Sequence, residues 1–271
     1  MKLIYKRTLS GLIFVSVLIF CILFSKITFI LIFFISMLFC LYEFKKMIQL
    51  RSIFPYIIGT FLFIFGNILN VDDVPARIIF EYVGVALFLT IFITFASILF
   101  AKKEEVVSHL GKIFLAIIYI VVPFTLIVQI PFLNGSFHYI NTTILGVFIL
   151  IWTNDTFAFL VGKNIGKHKL LERISPNKTI EGFIGGMVFT FMASFILANQ
   201  FTSLTFKQWL VIAGIVSIFG VLGDLIESMF KRQAGVKDSS NLIPGHGGFL
   251  DRFDSVIFAA PFIFIYLQLV Q

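Results

Sequence analysis

The sequence predicts an all-α fold: a polytopic transmembrane helical bundle of about nine spans with a cytoplasmic N-terminus. The first observation behind this prediction is composition, because 59% of the 271 residues are hydrophobic and only 13% are charged. Soluble domains carry roughly 25% charged residues, and a soluble domain of this length has too little interior to bury so much apolar surface. The chain is therefore predicted to lie in a lipid bilayer.

The second observation is the spacing of the apolar runs. A helix crosses a bilayer with about 20 apolar residues, and nine runs approach this length. The first two are short and separated only by Ser25 and Lys26, which favours a tight helical hairpin over one long, broken segment. No small-residue cleavage pattern follows the first run, so we interpret it as a retained span and not as a signal peptide. The runs are 9–25, 27–42, 53–70, 78–101, 113–132, 140–161, 180–199, 208–226 and 255–270.

The third observation is the distribution of basic residues. With the N-terminus inside, all of the 21 lysines and arginines except Lys26, Arg77 and Lys207 fall on the inner side. Cytoplasmic segments of membrane proteins carry such an excess. Loop orientation thus explains the net charge of +7, which speaks against a nucleic-acid partner. For a short chain without extensions we expect a multi-pass protein of a bacterial inner membrane.

The domain organisation follows from the same pattern. Residues 1–271 are predicted to form a single membrane domain, in which residues 1–132 supply N-terminal spans and residues 133–271 supply catalytic spans and cytoplasmic loops. The inner segments 162–179 and 227–254 are too long and too polar to be simple turns. The chemistry is therefore expected there, facing the cytoplasm.

Two sets of carboxylates enter this inner surface from adjacent helices. Asp251 and Asp254 stand three residues apart at the mouth of the ninth run. Hard oxygen ligands of this kind suit Mg²⁺, which also keeps water and substrate phosphate as ligands. We predict Asp224, Asp251 and Asp254 as the metal ligands. On a helix that continues the eighth run, one face carries Asp224, Glu227, Ser228 and Lys231.

Basic and glycine residues surround these carboxylates. Their positive charge matches a triphosphate, although a solvated loop that follows the inner charge bias explains the basic residues equally well. Gly247 and Gly248 belong to flexible backbone that can turn amide groups toward phosphate. We assign His246 a positioning role, because a phosphate nucleophile is already ionised near neutral pH. The basic residues are Lys231, Arg232, Lys237 and Arg252.

The preceding inner segment offers further candidates. Asp155 lies near the inner end of the sixth run, where it either pairs with a loop lysine or faces the catalytic cavity. Ser175 followed by Pro176 has the form of a helix N-cap with proline at the first helical position. A helix start there, with Lys178 in its first turn, predicts an anion site. Capping alone is the alternative explanation.

Together these segments resemble the signature of the phosphatidate cytidylyltransferases, also called CDP-diacylglycerol synthases. The resemblance covers approximately residues 152–255, and its long spaced pattern is far more specific than one glycine motif. Phe159 departs from it, since tyrosine is expected there, and Leu171-Glu172-Arg173 lacks an expected proline. The matching blocks are Asn154-Asp155, Ser175–Gly182, Ser228–Arg232, Lys237-Asp238 and His246–Asp254.

The resemblance implies transfer of CMP from CTP to phosphatidate, with Mg²⁺ required, and it admits a homodimer. Whether a monovalent cation joins Mg²⁺ stays open. The partners are then CTP, phosphatidate and the lipid bilayer. We hypothesise that Asp224, Ser228, Lys231 and Asp251 are catalytic. The substrate-binding candidates are Asp155, Ser175, Lys178, Arg232, Lys237, His246, Gly247, Gly248 and Arg252.

Three other functions remain as alternatives. A transporter or channel would place Asp155 and Asp224 along an ion path, but the sequence has no detectable inverted repeat and its polar residues gather on one side. An enzyme that uses CTP with another lipid acceptor, such as an isoprenoid glycerol phosphate, would carry similar motifs. A purely structural scaffold leaves the acidic cluster unexplained.

Overall fold

The computed structural model describes residues 2–67, 106–133, 138–243, 245 and 247–270, with side chains from residue 8 onward. Its helices are mostly apolar and six of them are long enough to cross a bilayer, which confirms an all-α polytopic membrane protein. The predicted run 78–101 lies outside the described residues. The helices are α1 Lys2–Phe24, α2 Lys26–Met47, α3 Phe54–Asn67, α4 Val106–Phe132, α5 Asn141–Ile165, α6 Ile180–Gln200, α7 Phe206–Gln233 and α8 Leu250–Val270.

The six long apolar helices are α2, α4, α5, α6, α7 and α8, while α3 and the apolar part of α1, Thr8–Phe24, are shorter. Helices α1 and α2 meet at Ser25, which has extended backbone and accepts a hydrogen bond from the Thr28 amide through its side chain. This N-cap satisfies one of the free amides at the start of α2. The chain here forms two helices, in agreement with the hairpin prediction.

Helices α4 and α7 each contain a π-helical turn. In α4 the turn covers Ile117–Val121, and the Val122 amide donates to the Ile117 carbonyl five residues back. Pro123 follows immediately, and its missing amide and bulky ring disturb regular helical bonding. In α7 the turn covers Val216–Gly220, directly before the segment that carries the predicted carboxylates. Such turns occur frequently at functional sites.

The inner segment before α6 forms a β-hairpin. Strand β1, Lys169–Leu171, pairs antiparallel with strand β2, Ser175–Thr179. The prediction of a helix N-cap at Ser175 is therefore wrong. Pairing with β1 holds this stretch extended, a conformation that a residue before proline favours. The helix starts instead at Ile180, capped by the Thr179 hydroxyl, which accepts from the Gly182 amide at 3.1 Å.

An aromatic cluster holds α8 in the centre of the bundle. The ring of Phe253 lies 5.9 Å from Phe14 in α1, 5.9 Å from Phe33 in α2, 5.2 Å from Phe124 in α4 and 6.5 Å from Phe148 in α5. Edge-on and tilted arrangements at these distances are favourable. The cluster joins side chains from both predicted halves of the chain, so the N-terminal helices set the position of α8.

The contact between α7 and α8 depends on Gly223. A Cβ atom there would lie 2.5 Å from the Asp254 carbonyl oxygen and 2.7 Å from the Phe258 Cβ. We expect Gly223→Ala to push the helices apart and to lower the free energy of unfolding by about 1–3 kcal/mol. Thermal unfolding in detergent measures this change.

The matched control for this substitution lies one turn earlier in the same helix. At Gly220 an added Cβ would meet the Ser255 Cβ at 3.6 Å, which is ordinary van der Waals contact. Gly220→Ala should therefore leave the unfolding temperature close to that of the unsubstituted protein. Equal stability of the two variants would contradict the importance of the close contact at Gly223.

Candidate active site

A cavity of about 550 Å³ lies where α5, α6, α7 and α8 meet the β-hairpin. Part of its wall is apolar, from Ala158, Phe159, Leu170, Phe183 and Val221. Lys163 and Lys178 add positive charge. The acidic part of the wall consists of Asp155, Asp224, Asp251 and Asp254. The cavity thus offers charged and apolar surface together.

Three carboxylates from two helices converge beside this cavity. Asp224 and Glu227 on α7 and Asp254 on α8 each offer an oxygen atom, and these atoms lie within 4.8 Å of one another. The i, i+3 spacing on α7 and the close helix contact at Gly223 bring them together. The Glu227 side chain is completely buried. The sequence placed Glu227 on this face but did not identify it as a metal ligand.

Lys231 holds the inner edge of this cluster. Its ammonium group is in ion-pair contact with Glu227 Oε2 and lies 2.7 Å from Asp251 Oδ1. The side chain of Lys231 is only 12% exposed, so both ion pairs are shielded from water. Lys231 therefore connects α7 to the first turn of α8 at a buried position.

Hydrogen-bond donors surround Asp251. While Oδ1 contacts Lys231, Oδ2 accepts hydrogen bonds from the Ser239 amide at 2.9 Å, the Ser239 hydroxyl at 2.8 Å and the Gly248 amide at 2.7 Å. Asp251 lines the cavity but is not part of the three-carboxylate group. Glu227 thus joins Asp224 and Asp254 in the candidate ligand set, and the assignment of Asp251 as a metal ligand stays a prediction.

The opposite side of the cluster is held by the β-hairpin. Lys178 Nζ, on β2, lies 2.5 Å from Asp224 Oδ2, and both side chains are partly exposed. Ser228 donates a hydrogen bond of 3.3 Å to Asp224 Oδ1 from one turn further along α7. The structure therefore brings Lys178, Asp224 and Ser228 together. Lys178 lies on a strand and not in the first turn of a helix, as the sequence had predicted.

The donor set fits a divalent metal ion. Five carboxylates lie in or beside the cavity, and ion pairs to Lys178 and Lys231 offset only part of their charge. Glu227 is buried, and among the described residues its Oε1 has no hydrogen-bond partner, while its Oε2 contacts the ammonium group of Lys231. Carboxylate oxygens are hard ligands, and here they lie close together with their negative charge only partly offset. Such a set suits Mg²⁺. The candidate ligands are Asp224, Glu227 and Asp254.

The remaining predicted residues differ in whether they line the cavity or lie exposed outside its lining. Asp155 faces it from α5, whereas Ser175 is absent from its lining. Arg232 is exposed and donates from Nε to the Ile174 carbonyl at 3.5 Å. Lys237 and Arg252 are also exposed.

The glycine-rich loop is partly described. Gly247 adopts a positive φ of 84°, and a Cβ atom there would lie 2.6 Å from Asp251 Oδ2. The Gly248 amide donates to Asp251 and not into open space. His246 lies outside the described residues. The glycines therefore allow the loop backbone to lie directly against Asp251. The sequence predicted another role, in which the amides of Gly247 and Gly248 turn toward a phosphate.

The fold and site define a polytopic membrane protein with an acidic, partly apolar cavity at one end of its helical bundle. Residues 5–270 match the family model described as the cytidylyltransferase family, and the chain belongs to this family. This agrees with the resemblance inferred from the sequence.

Relatives with established names extend this finding. The phosphatidate cytidylyltransferase of Bacillus subtilis (strain 168) is 36% identical to the chain over 273 residues, covering 97% of both chains. The phosphatidate cytidylyltransferases of Staphylococcus haemolyticus (strain JCSC1435) and Staphylococcus aureus (strain COL) are each 48% identical over 136 residues, covering 49% of this chain and 50% of theirs.

The buried ion pairs of Lys231 lead to a stability prediction. Lys231→Met removes the shared cation and leaves Glu227 and Asp251 without it. Breaking a buried pair in this way costs about 3–5 kcal/mol, so we expect a clearly lower unfolding temperature in detergent. Lys237→Met, at an exposed lysine on the following loop, is the control and should not change stability. Unchanged stability of Lys231→Met would show that these ion pairs contribute little.

Proposed function

We propose that the chain transfers CMP from CTP to phosphatidate, forming CDP-diacylglycerol and pyrophosphate. The observation that carries this proposal is the cavity, in which a partly buried carboxylate cluster adjoins an apolar wall. Membership of the cytidylyltransferase family and the names of the relatives agree with it. A soluble nucleotide and a lipid phosphate can react only where such surfaces meet.

The reaction is a displacement at phosphorus. A phosphate oxygen of phosphatidate forms a bond to the α-phosphorus of CTP, and the bond from that phosphorus to the oxygen bridging it to the β-phosphorus breaks. Pyrophosphate leaves with the electron pair of the broken bond. Both reactants are anions, so the site must offset their charge and align them.

Different side chains have different roles in offsetting this charge and aligning the reactants. We assign Mg²⁺ binding to Asp224, Glu227 and Asp254. When bound, the ion supplies positive charge next to the triphosphate. Lys178 lies on the cavity wall, where its ammonium group can shift from Asp224 to a substrate phosphate. Asp251 orients Lys231 and so acts through it.

The basic residues outside the cavity lining have a more distant role in this proposal. Arg232, Lys237 and Arg252 lie exposed near the site, where they raise the local concentration of the nucleotide by electrostatic attraction. Ser228 keeps the Asp224 carboxylate in one orientation.

The apolar wall is the proposed place of the lipid. Phe159 is 65% exposed and lines the cavity together with Leu170 and Phe183. A phenylalanine at 159 offers no hydroxyl, so this part of the wall can contact acyl chain or glycerol carbon but donates no hydrogen bond. The phosphatidate phosphate can then reach the carboxylate side while its chains stay in the bilayer.

The nine-span topology belongs to the same proposal. Gly59 lies against Val121, and Gly66 lies against Thr125 and Gln129, so α3 and α4 run in the same direction. The nine-span order directs both of these runs from the inner to the outer side, so the parallel arrangement supports it.

The proposed orientation is N-terminus inside, with the site facing the cytoplasm of a bacterial inner membrane. Tyr139, predicted outside, meets the outer end of the first run, since its hydroxyl donates to the Ile22 carbonyl at 2.7 Å. Burial raises the pKa of Tyr139, so this hydroxyl stays protonated. The segments predicted inside also meet, since Glu43 contacts Leu250 at the opposite end of the bundle. A homodimer and a monovalent cation beside Mg²⁺ are expectations of the family resemblance.

The metal-site assignment can be tested with Asp254→Asn. Loss of one anionic ligand should raise the Mg²⁺ concentration for half-maximal activity by about tenfold or more and lower the maximal rate. Chelation of the metal should abolish activity of the unsubstituted protein. Glu172→Gln, at an exposed carboxylate in the hairpin turn, is the control and should retain normal Mg²⁺ dependence. Normal dependence in Asp254→Asn would remove it from the ligand set.

The acceptor can be identified by supplying radiolabelled CTP to purified protein in detergent with a panel of lipids. We expect labelled CDP-diacylglycerol and pyrophosphate with phosphatidate, and little product with isoprenoid glycerol phosphates or with lipids that lack a terminal phosphate. A preference for another acceptor would refute the phosphatidate assignment while retaining the transferase. Transport of an ion without release of pyrophosphate would refute the enzyme.

A further inference from the structure

Glu43 is a carboxylate that the mechanism above does not use. It is the only acidic residue among the first 71. It lies near the end of α2, in residues 1–132, which the sequence predicts to supply N-terminal spans. Its side chain is completely buried. An ionisable group buried at a membrane boundary is costly and needs partners, so its contacts reveal its role.

Four donors from the segment around the glycine-rich loop surround this carboxylate. Oε1 accepts from the Ser240 hydroxyl at 2.6 Å and the Phe249 amide at 3.0 Å. Oε2 accepts from the Ser239 hydroxyl at 2.8 Å and the Leu250 amide at 2.8 Å. All four are about 200 residues away in sequence. Glu43 thus binds the middle of the loop that separates α7 from α8, at Ser239 and Ser240, and the end of that loop at the start of α8.

Two of these donors are the amides at the start of α8. The first amides of a helix have no partner within the helix, and a negative charge placed there also interacts favourably with the helix dipole. Glu43, on the neighbouring helix α2, accepts hydrogen bonds from both of these amides and supplies the negative charge. It therefore fixes the start of α8, whose first turns carry Asp251 and Asp254.

Ser239 connects Glu43 directly to the site. Its hydroxyl oxygen lies 2.8 Å from Glu43 Oε2 and 2.8 Å from Asp251 Oδ2, so its single proton can be donated to either carboxylate. Asp251 contacts Lys231, which in turn contacts Glu227. A continuous series of polar contacts runs from α2 to the carboxylate cluster.

Gly248 shows how tightly this arrangement is packed. A Cβ atom at this position would overlap the Ser239 hydroxyl and both oxygens of Glu43. The loop backbone therefore passes directly over the buried carboxylate. Only glycine leaves room for that approach, which gives Gly248 a role independent of any phosphate.

We propose that Glu43 is a positioning residue of the transferase site: it anchors the 239–250 segment to α2 and thereby sets Lys231 and the metal-binding carboxylates in place. This inference rests on the proposed function for its effect on catalysis. The anchoring itself rests on the contacts alone. Glu43 touches no substrate and acts through Ser239, Asp251 and the start of α8.

The substitution Glu43→Gln tests this role sharply. Each oxygen of Glu43 accepts one backbone amide, Phe249 at Oε1 and Leu250 at Oε2. Whichever way a glutamine amide is turned, its NH₂ group faces one of these N–H donors, and neither can reverse its role. The variant keeps size and shape but loses one helix-start hydrogen bond and the negative charge.

We expect Glu43→Gln to lower the maximal rate and to raise the Mg²⁺ concentration for half-maximal activity, each by about tenfold or more. Tryptic cleavage after Lys237, which lies exposed at the start of the loop, should also become faster. The control is Ser36→Ala on the same helix. Ser36 is buried, and its hydroxyl has no hydrogen-bond partner among the residues that the structure describes, so activity and cleavage should match those of the unsubstituted protein.

A milder variant covers the case in which Glu43→Gln does not accumulate. Ser240→Ala removes one donor to Oε1 and leaves the carboxylate in place; a roughly twofold to fivefold change in the same direction is expected, since one hydrogen bond is lost. Unchanged Mg²⁺ dependence and unchanged cleavage in the tested variant would overturn the proposal. If the unsubstituted protein forms no CDP-diacylglycerol, the proposed function fails, while the cleavage experiment still decides whether Glu43 anchors the loop.

Discussion

The close contact between α7 and α8 is the constraint on which the rest of the site depends. It forces Asp224, Glu227 and Asp254 to within 4.8 Å of one another, an arrangement that mutual repulsion opposes. Two lysines from different directions, Lys178 on the hairpin and Lys231 on α7, offset part of this charge. The remaining negative charge makes this cluster a candidate cation site.

The loop between these helices is organised mainly by buried carboxylates. Asp251 gathers donors from Ser239 and Gly248, and Glu43 gathers donors from the two ends of the segment. Carboxylates can accept several hydrogen bonds at once, so two of them suffice to hold a polar loop against an apolar bundle. Tight turns at glycine then bring backbone and carboxylate into direct contact.

The sequence predicted the features that depend on local pattern. Apolar run length indicated the membrane class and most helices, and the i, i+3 spacing placed Asp224 and Glu227 on one face. It did not predict the features that depend on tertiary contacts. Ser175 lies in a strand because a partner strand is available, which proline statistics alone do not reveal.

The role of Glu43 illustrates the same limit over a longer distance. Its partners lie about 200 residues further along the chain, so spacing within α2 gave no indication of them. One signal was nevertheless present: an isolated acidic residue in an otherwise apolar stretch requires a compensating partner somewhere in the fold. The position of Glu227 was a similar signal, since this acidic residue lies on the same helix face as Asp224, which the sequence predicts as a metal ligand.

The π-helical turn at Val216–Gly220 also determines where the carboxylates point. Such a turn accommodates one residue more than a regular α-helical turn, so everything that follows is rotated by about 100° relative to an uninterrupted helix. Leu222 and Met229 lie exposed on the outer face, while Asp224 and Glu227 face inward. Shortening α7 by one residue at this point would turn both carboxylates by about 100° and bring Leu225 and Ser228 to the places of Asp224 and Glu227. An apolar side chain would then replace an acidic one in the cavity wall.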